Sequence, residues 1–189
     1  MSQFDLKVPK NDLDLWAEKY WNDGNGKDEK DAFDAGKRIL RGGLSEDELK
    51  DNLKKIVYWK SPRVVHHIDS NPPEKVREAL EKATAPATTV QEAFEVLIGL
   101  RGVGVPVASA ILTAIFPDRY TVIDFRALEA LGHDAAGIEF YQQYLEFCRQ
   151  LAESGVVRLQ TNRPGPTPLR ALDRALWQWS ASKGDLNSE

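Results

Sequence analysis

The chain has 189 residues, enough for one domain that buries roughly 70% of its unfolded surface, and its 42% hydrophobic and 29% charged residues are ordinary globular usage. A fibrous or disordered chain is thereby excluded, and one cysteine, Cys148, rules out an internal disulfide and the four thiolates of an iron–sulfur cluster. The net charge of -4 argues against nonspecific coating of nucleic acid, although residues 35–75 hold nine bases against six acids and so offer one positive region.

In chain order, the polar stretch Met1–Lys10 has no apolar core for export, and nothing approaches the roughly 18 apolar residues of a membrane span. A cytoplasmic location is the expectation. Asn11 reads as the cap of a first helix bearing Leu13, Trp16, Ala17 and Tyr20, and a second helix runs from about Asp28 to Arg41, ending at Gly42-Gly43. Ser45 with Glu48 forms a capping box for a third helix carrying Leu49, Leu53, Ile56 and Val57. Ser61-Pro62, Asn71-Pro72 and Thr167-Pro168 each read as a cap followed by a first-turn proline. Thr88 or Thr89 opens a further helix that ends at Leu100, and a long one runs from about Ala135 to Glu153. Residues 155–166 form an irregular connection. No alternating strand pattern appears, so the fold class is all-α.

Residues 89–132 hold the chemistry. Arg101-Gly102-Val103-Gly104-Val105 joins the helix ending at Leu100 to one opening at Pro106, giving a helix–hairpin–helix over residues 89–116. Two glycines let the backbone approach a ligand, and the second helix offers unpaired amides and the positive end of its dipole, the requirements for gripping a phosphate. Leu100 and Val103 would anchor the turn in the core, and Ala108 would let the helices pack closely. A bare glycine turn between two helices is the alternative. Twenty residues beyond Gly104 stands Asp124, inside a segment spanning 117–132. It reads either as a helix cap or as a poorly solvated carboxylate, flanked by Val122, Ile123 and Phe125, that does electrostatic or general-base work. Both roles can coexist.

Leu100, Gly102, Val103, Gly104, Ala108 and Asp124 together resemble the helix–hairpin–helix DNA glycosylase superfamily, whose relatives include the endonuclease III and 8-oxoguanine glycosylase types. The resemblance implies a two-lobed helical fold over the single unit 1–189 and cleavage of the N-glycosidic bond of a modified or mispaired base. The backbone at Gly102, Val103, Gly104 and Val107 would hold a DNA phosphate. A monovalent cation, potassium or sodium, would sit on the carbonyls of Leu100, Gly102 and Val103, with no other cofactor. Asp124 would face the sugar of an extruded nucleotide. Pro106 stands where bifunctional members carry their Schiff-base lysine, so monofunctional hydrolysis without lysine-dependent strand cleavage is expected. The interval from Asp124 to Leu131 is shorter than the family's, and the N-terminal half contains no glutamine-bearing wedge.

Tyr58, Trp59, Lys60 and Arg63 gather aromatics and cations at one helix junction, a combination suited to bases and phosphates, and Arg126 adds a cation beside Asp124. The alternative places Trp59 on the core and the cations in solvent. His66-His67 lacks a second ligand set at metal spacing. Tyr141, Tyr144, Trp177, Trp179 and Cys148 read as packing residues. DNA is the expected partner, the membrane is not, and a monomer is the expected state. A noncatalytic helix–hairpin–helix protein that binds DNA or a protein, and a structural module whose hairpin binds nothing, remain as alternatives.

Overall fold

A computed structural model describes residues 4–134 and 137–186. They contain ten α-helices: α1 (Leu13–Asn22), α2 (Glu29–Arg41), α3 (Glu46–Lys60), α4 (Val65–Ile68), α5 (Pro73–Thr84), α6 (Val90–Ile98), α7 (Val105–Ile115), α8 (Phe125–Ala130), α9 (Ile138–Glu153) and α10 (Pro168–Leu186). Short 3-10 turns occupy Lys10–Asp12 and Pro62–Val64, and no strand occurs among the described residues. The fold is all-α. None of these helices is long and apolar enough to cross a membrane.

Local punctuation accounts for several helix starts. The Ser45 hydroxyl accepts from the Glu48 amide while the Glu48 carboxylate accepts from the Ser45 amide, and Thr89 and Glu92 repeat the exchange at α6. Each cap is worth about 1 kcal/mol. Thr167 Oγ1 receives the Arg170 amide at 3.0 Å and opens α10. Three expected starts differ. Asn11 lies inside the first 3-10 turn, and α1 begins at Leu13 without a side-chain cap. Pro62 starts only a 3-10 turn, followed by the single turn of α4. Helix α5 begins at Pro73, because the Asn71 side chain is engaged elsewhere. The long helix starts at Ile138, and Ala135 lies outside the described residues.

Helix α10 packs against α1, α8 and α9, while α2 packs on both α3 and α7. At the α2–α7 crossing the backbones touch. A Cβ at Gly36 would lie 2.1 Å from the Ala114 carbonyl oxygen, so only glycine permits this approach. Helix α5 leans on α3 and α6, and α6 meets α7 and α9. The N-terminal segment closes the end of α8 through hydrogen bonds from the Asp5 amide to Leu131 O and from the Lys7 amide to Ala130 O. Phe4 there packs against Phe140 and Phe147.

A buried charge cluster joins α2 to α10. Glu29, wholly buried, accepts from Arg170 Nε at 2.7 Å and from Arg174 Nη2 at 2.7 Å. Arg170 also pairs with Asp173, and Arg174 Nη1 donates to Gln160 Oε1 at 2.8 Å. Burial by itself drives the Glu29 carboxyl upward, but the two guanidiniums outweigh it and hold that carboxyl below its ordinary value.

Candidate functional site

The hairpin closes as its residue types require. Gly102 takes a φ of 86°, the left-handed region that favours glycine, and a Cβ there would meet His67 Cβ at 2.8 Å and Val64 O at 3.0 Å. Gly104 is extended backbone preceding α7. Leu100, Val103 and Ala108 are buried beneath the turn. Asn71 braces it from outside: its Oδ1 accepts from the Arg101 amide at 2.7 Å and its Nδ2 donates to the Arg101 carbonyl at 3.1 Å. Lys75 Nζ adds a bond to Gly99 O at 2.7 Å. The amides of Gly102 and Gly104 donate to no protein acceptor among the described residues, and the first-turn amides of α7, Val107 included, have no intrahelical partner. Of the three carbonyls expected to face a cation, Leu100 O already accepts from Val103 N at 3.2 Å, whereas Gly102 O and Val103 O accept nothing. The hairpin thus carries two free carbonyls and several free amides.

Residues 120–124 form neither helix nor strand, so side chains must satisfy their backbone. Ser109 Oγ on α7 accepts from the Ile123 amide at 3.0 Å and donates to Pro106 O at 2.7 Å. The Tyr141 and Tyr144 hydroxyls, from α9, donate to Thr121 O and Val122 O, both at 2.8 Å. These buried tyrosines therefore do more than fill the core. Burial raises both hydroxyls well above the usual phenol value, which keeps them neutral donors. Through Ser109 the segment is fastened to the second helix of the hairpin, and Asp124 is carried with it.

Asp124 combines the two roles read from the sequence. Its Oδ1 accepts from the Ala127 amide at 2.9 Å and caps α8. Its Oδ2 accepts from Lys60 Nζ at 2.7 Å, and the two side chains are only 14% and 13% exposed. Lys60 comes from the end of α3, so this pair spans 64 positions of chain.

The pair opens on a cavity of about 670 Å³, within the range of small-molecule sites. Its walls include Trp59, Tyr20 and Trp177, with Pro106 and Val107 from the first turn of α7 and with Arg63 and Arg126. Trp59 is half-buried, edge-on to Phe33 and beneath the Arg170 guanidinium at 5.0 Å, so it serves core and cavity together. Arg126 lies over Phe125 and over Trp177, at 5.1 and 4.9 Å. Phe125 is 71% exposed beside Asp124. Arg63 is exposed and makes no ion pair among the described residues. Tyr58, although adjacent to Trp59 in sequence, belongs to a separate hollow of about 280 Å³ with Lys54, Lys55 and Val65, because consecutive residues of a helix point about 100° apart.

Tyr20, Trp177, Arg170 and Asp173 line the cavity but do not stand out as functional in the sequence. Trp177 reads there as packing, and Arg170 and Asp173 give only the signal of charges in the apolar register of α10. Asp173 is buried against Arg170, and that burial pushes its carboxyl up to about 6 in spite of the guanidinium. Cys148 is buried, with its thiol pushed upward for the same reason. His66 and His67 are exposed beside the hairpin.

Comparison with protein-family models, curated proteins and solved structures returns no match to this chain.

Proposed function

We propose that the protein is a DNA base-excision glycosylase of the helix–hairpin–helix type, with the two-lobed fold of that superfamily, that hydrolyses the N-glycosidic bond of a modified or mispaired base. The observation that carries this reading is the placement of Asp124 in an aromatic cavity whose wall includes the opening turn of the hairpin's second helix. A phosphate held by the amides of Gly102, Gly104 and Val107 would put the adjoining nucleotide at that cavity's mouth. Trp59, Tyr20 and Trp177 offer faces on which an extruded base can stack. As the base departs, positive charge builds on the sugar, and the Asp124 carboxylate stabilises it or orients the attacking water.

Arg63 and Arg126, which line the cavity, suit phosphates. The free carbonyls of Gly102 and Val103 fit a monovalent cation, which would screen the phosphate and stiffen the turn. No other cofactor is invoked, and the protein acts as a cytoplasmic monomer on DNA. The test is a panel of oligonucleotides carrying modified or mispaired bases, with free base measured by chromatography. Release from at least one member is the expected result. The cap bond from Ala127 to Asp124 favours a second reading, a noncatalytic DNA-binding protein in which Asp124 only starts α8. Salt-sensitive binding without release from any member of the panel would favour it.

A further inference from the structure

Breaking the bond between a neutral base and its sugar separates two charges: the C1′–N electron pair leaves on the base, and the sugar is left positive. The Asp124 carboxylate answers the positive charge. The negative charge has its answer in the same cavity, since Lys60 Nζ lies 2.7 Å from Asp124 Oδ2 and both side chains line the wall. Lysine brings an ammonium, a point charge with N–H donors and no acceptor. Lys50 spends its donors on Asp69 O and Asn71 O, and Lys75 spends one on Gly99 O. Lys60 donates to Asp124 and, among the described residues, to no other acceptor. Asp173, a buried carboxylate that also lines the cavity, is held by Arg170. Of the three N–H donors of this largely buried cation, two are therefore unspent at the cavity wall.

We propose that the Lys60 ammonium is a second catalytic group of this site, which takes up the negative charge of the departing base and so restricts the substrate to neutral bases with a carbonyl beside the breaking bond, the pyrimidinediones. The inference rests on the glycosylase reading and names the substrate class of that same site. A group with donors and no acceptor selects a base whose leaving nitrogen is flanked by an oxygen, where the charge of the anion gathers. The C1′–N bond breaks with its electron pair on the base, and the oxygen of a water bonds to C1′. The proton of that water goes to Asp124, and the base anion takes a proton from Lys60. The proton on Asp124 then passes to the Lys60 amine across the hydrogen bond, which restores the ion pair. No oxidant or reductant is consumed. A base that is already cationic, such as a guanine methylated at N7, departs neutral. It gains nothing from the ammonium, which repels it on entry.

The test measures base release by the full chain, Lys60→Met and Lys60→Arg from duplexes that carry uracil or 5-fluorouracil opposite guanine, or N7-methylguanine opposite cytosine. Uracil and 5-fluorouracil differ by one small atom, but the fluorine makes the better leaving group. The unsubstituted protein should release both pyrimidines and leave N7-methylguanine at its spontaneous rate. Lys60→Met keeps an unbranched chain without the charge, and it should slow uracil release at least ~100-fold, the scale of one aligned electrostatic group. Its effect on 5-fluorouracil should be smaller, because that anion needs less help. Lys60→Arg retains a cation and should keep the ratio of the two rates near that of the unsubstituted protein. A lysine that only positions Asp124 would slow both pyrimidines by the same factor. Equal slowing, or release of N7-methylguanine or other bases in place of uracil, would overturn the proposal and leave the glycosylase reading standing. Release of no base at all would remove both. If Lys60→Met fails to fold, the choice of the unsubstituted protein between uracil and N7-methylguanine decides the matter.

Discussion

Two charge clusters border the cavity, and they are built in opposite ways. Glu29, Arg170 and Arg174 are closed into the protein: the carboxylate meets two guanidiniums, and Gln160 takes a further N–H. Lys60 and Asp124 form a single pair with the cavity on their open side. Desolvation costs each ion several kcal/mol, and only partners with good geometry offset it. The closed cluster meets most of that cost within the fold, fastening α2 to α10, although both guanidiniums reach Glu29 Oε1 and Oε2 accepts no hydrogen bond among the described residues. The open pair meets it only with one partner and one capped helix end. A charge left beside a cavity with so few partners is free to exchange them for a ligand, whereas one enclosed by guanidiniums is not. The first cluster is therefore a fastening, and the second is the place to which the proposed chemistry is assigned.

This distinction breaks most visibly at Glu29. Glu29→Ala strips the buried Arg174 guanidinium of its carboxylate and leaves Arg170 with Asp173 alone, and it should cost about 3–5 kcal/mol, read as a fall in the urea midpoint. A change below about 1 kcal/mol would mean that the closed cluster does not hold the fold. Asp173, bridging the two clusters, gives the next largest effect. Its carboxyl is raised from 3.8 to about 6 on folding, so the stabilisation it contributes is complete below pH 3.8 and is lost as pH rises through about 6. The stability of the unsubstituted protein relative to Asp173→Asn should fall over that window by at most about 3 kcal/mol. Denaturant melts at pH 4 and pH 7 measure it, and a flat difference would place Asp173 in a better-compensated setting. The smallest effect is expected at the rim. Arg63→Ala should leave stability unchanged and reduce the slope of log binding constant against log salt by about 0.9, the share of one phosphate. An unchanged slope would take Arg63 off the DNA path.

The sequence made local features readable and long-range ones obscure. The capping boxes at Ser45 and Thr89 and the glycine demanded at position 102 depend on neighbours a few residues away, and each stands where its pattern predicts. The cap role of Asp124 was legible for the same reason. Its pairing with Lys60 was not, since the two are brought together only by the packing of α3 beside the hairpin. Asn71 misled, because a side chain that can cap a helix can equally bond another loop, and the loop at Arg101 won. Tyr141 and Tyr144 show apolar spacing, which hides the hydroxyls that hold residues 121 and 122. Arg170, Asp173 and Arg174 carried a signal, three charges on the buried side of a helix, whose meaning required Glu29 opposite them.

The central claim, that the open pair is the reactive centre, is tested most directly at Asp124. Asparagine retains an oxygen to cap α8 but removes the negative charge, so Asp124→Asn separates chemistry from folding. Free base released from a susceptible oligonucleotide is the quantity to measure, since it is unaffected by any later cleavage of the strand. Asp124→Asn should fold, bind the oligonucleotide and release base at least ~100-fold more slowly than the unsubstituted protein, the scale on which one aligned electrostatic group acts. Equal rates of base release from the two proteins would contradict the account.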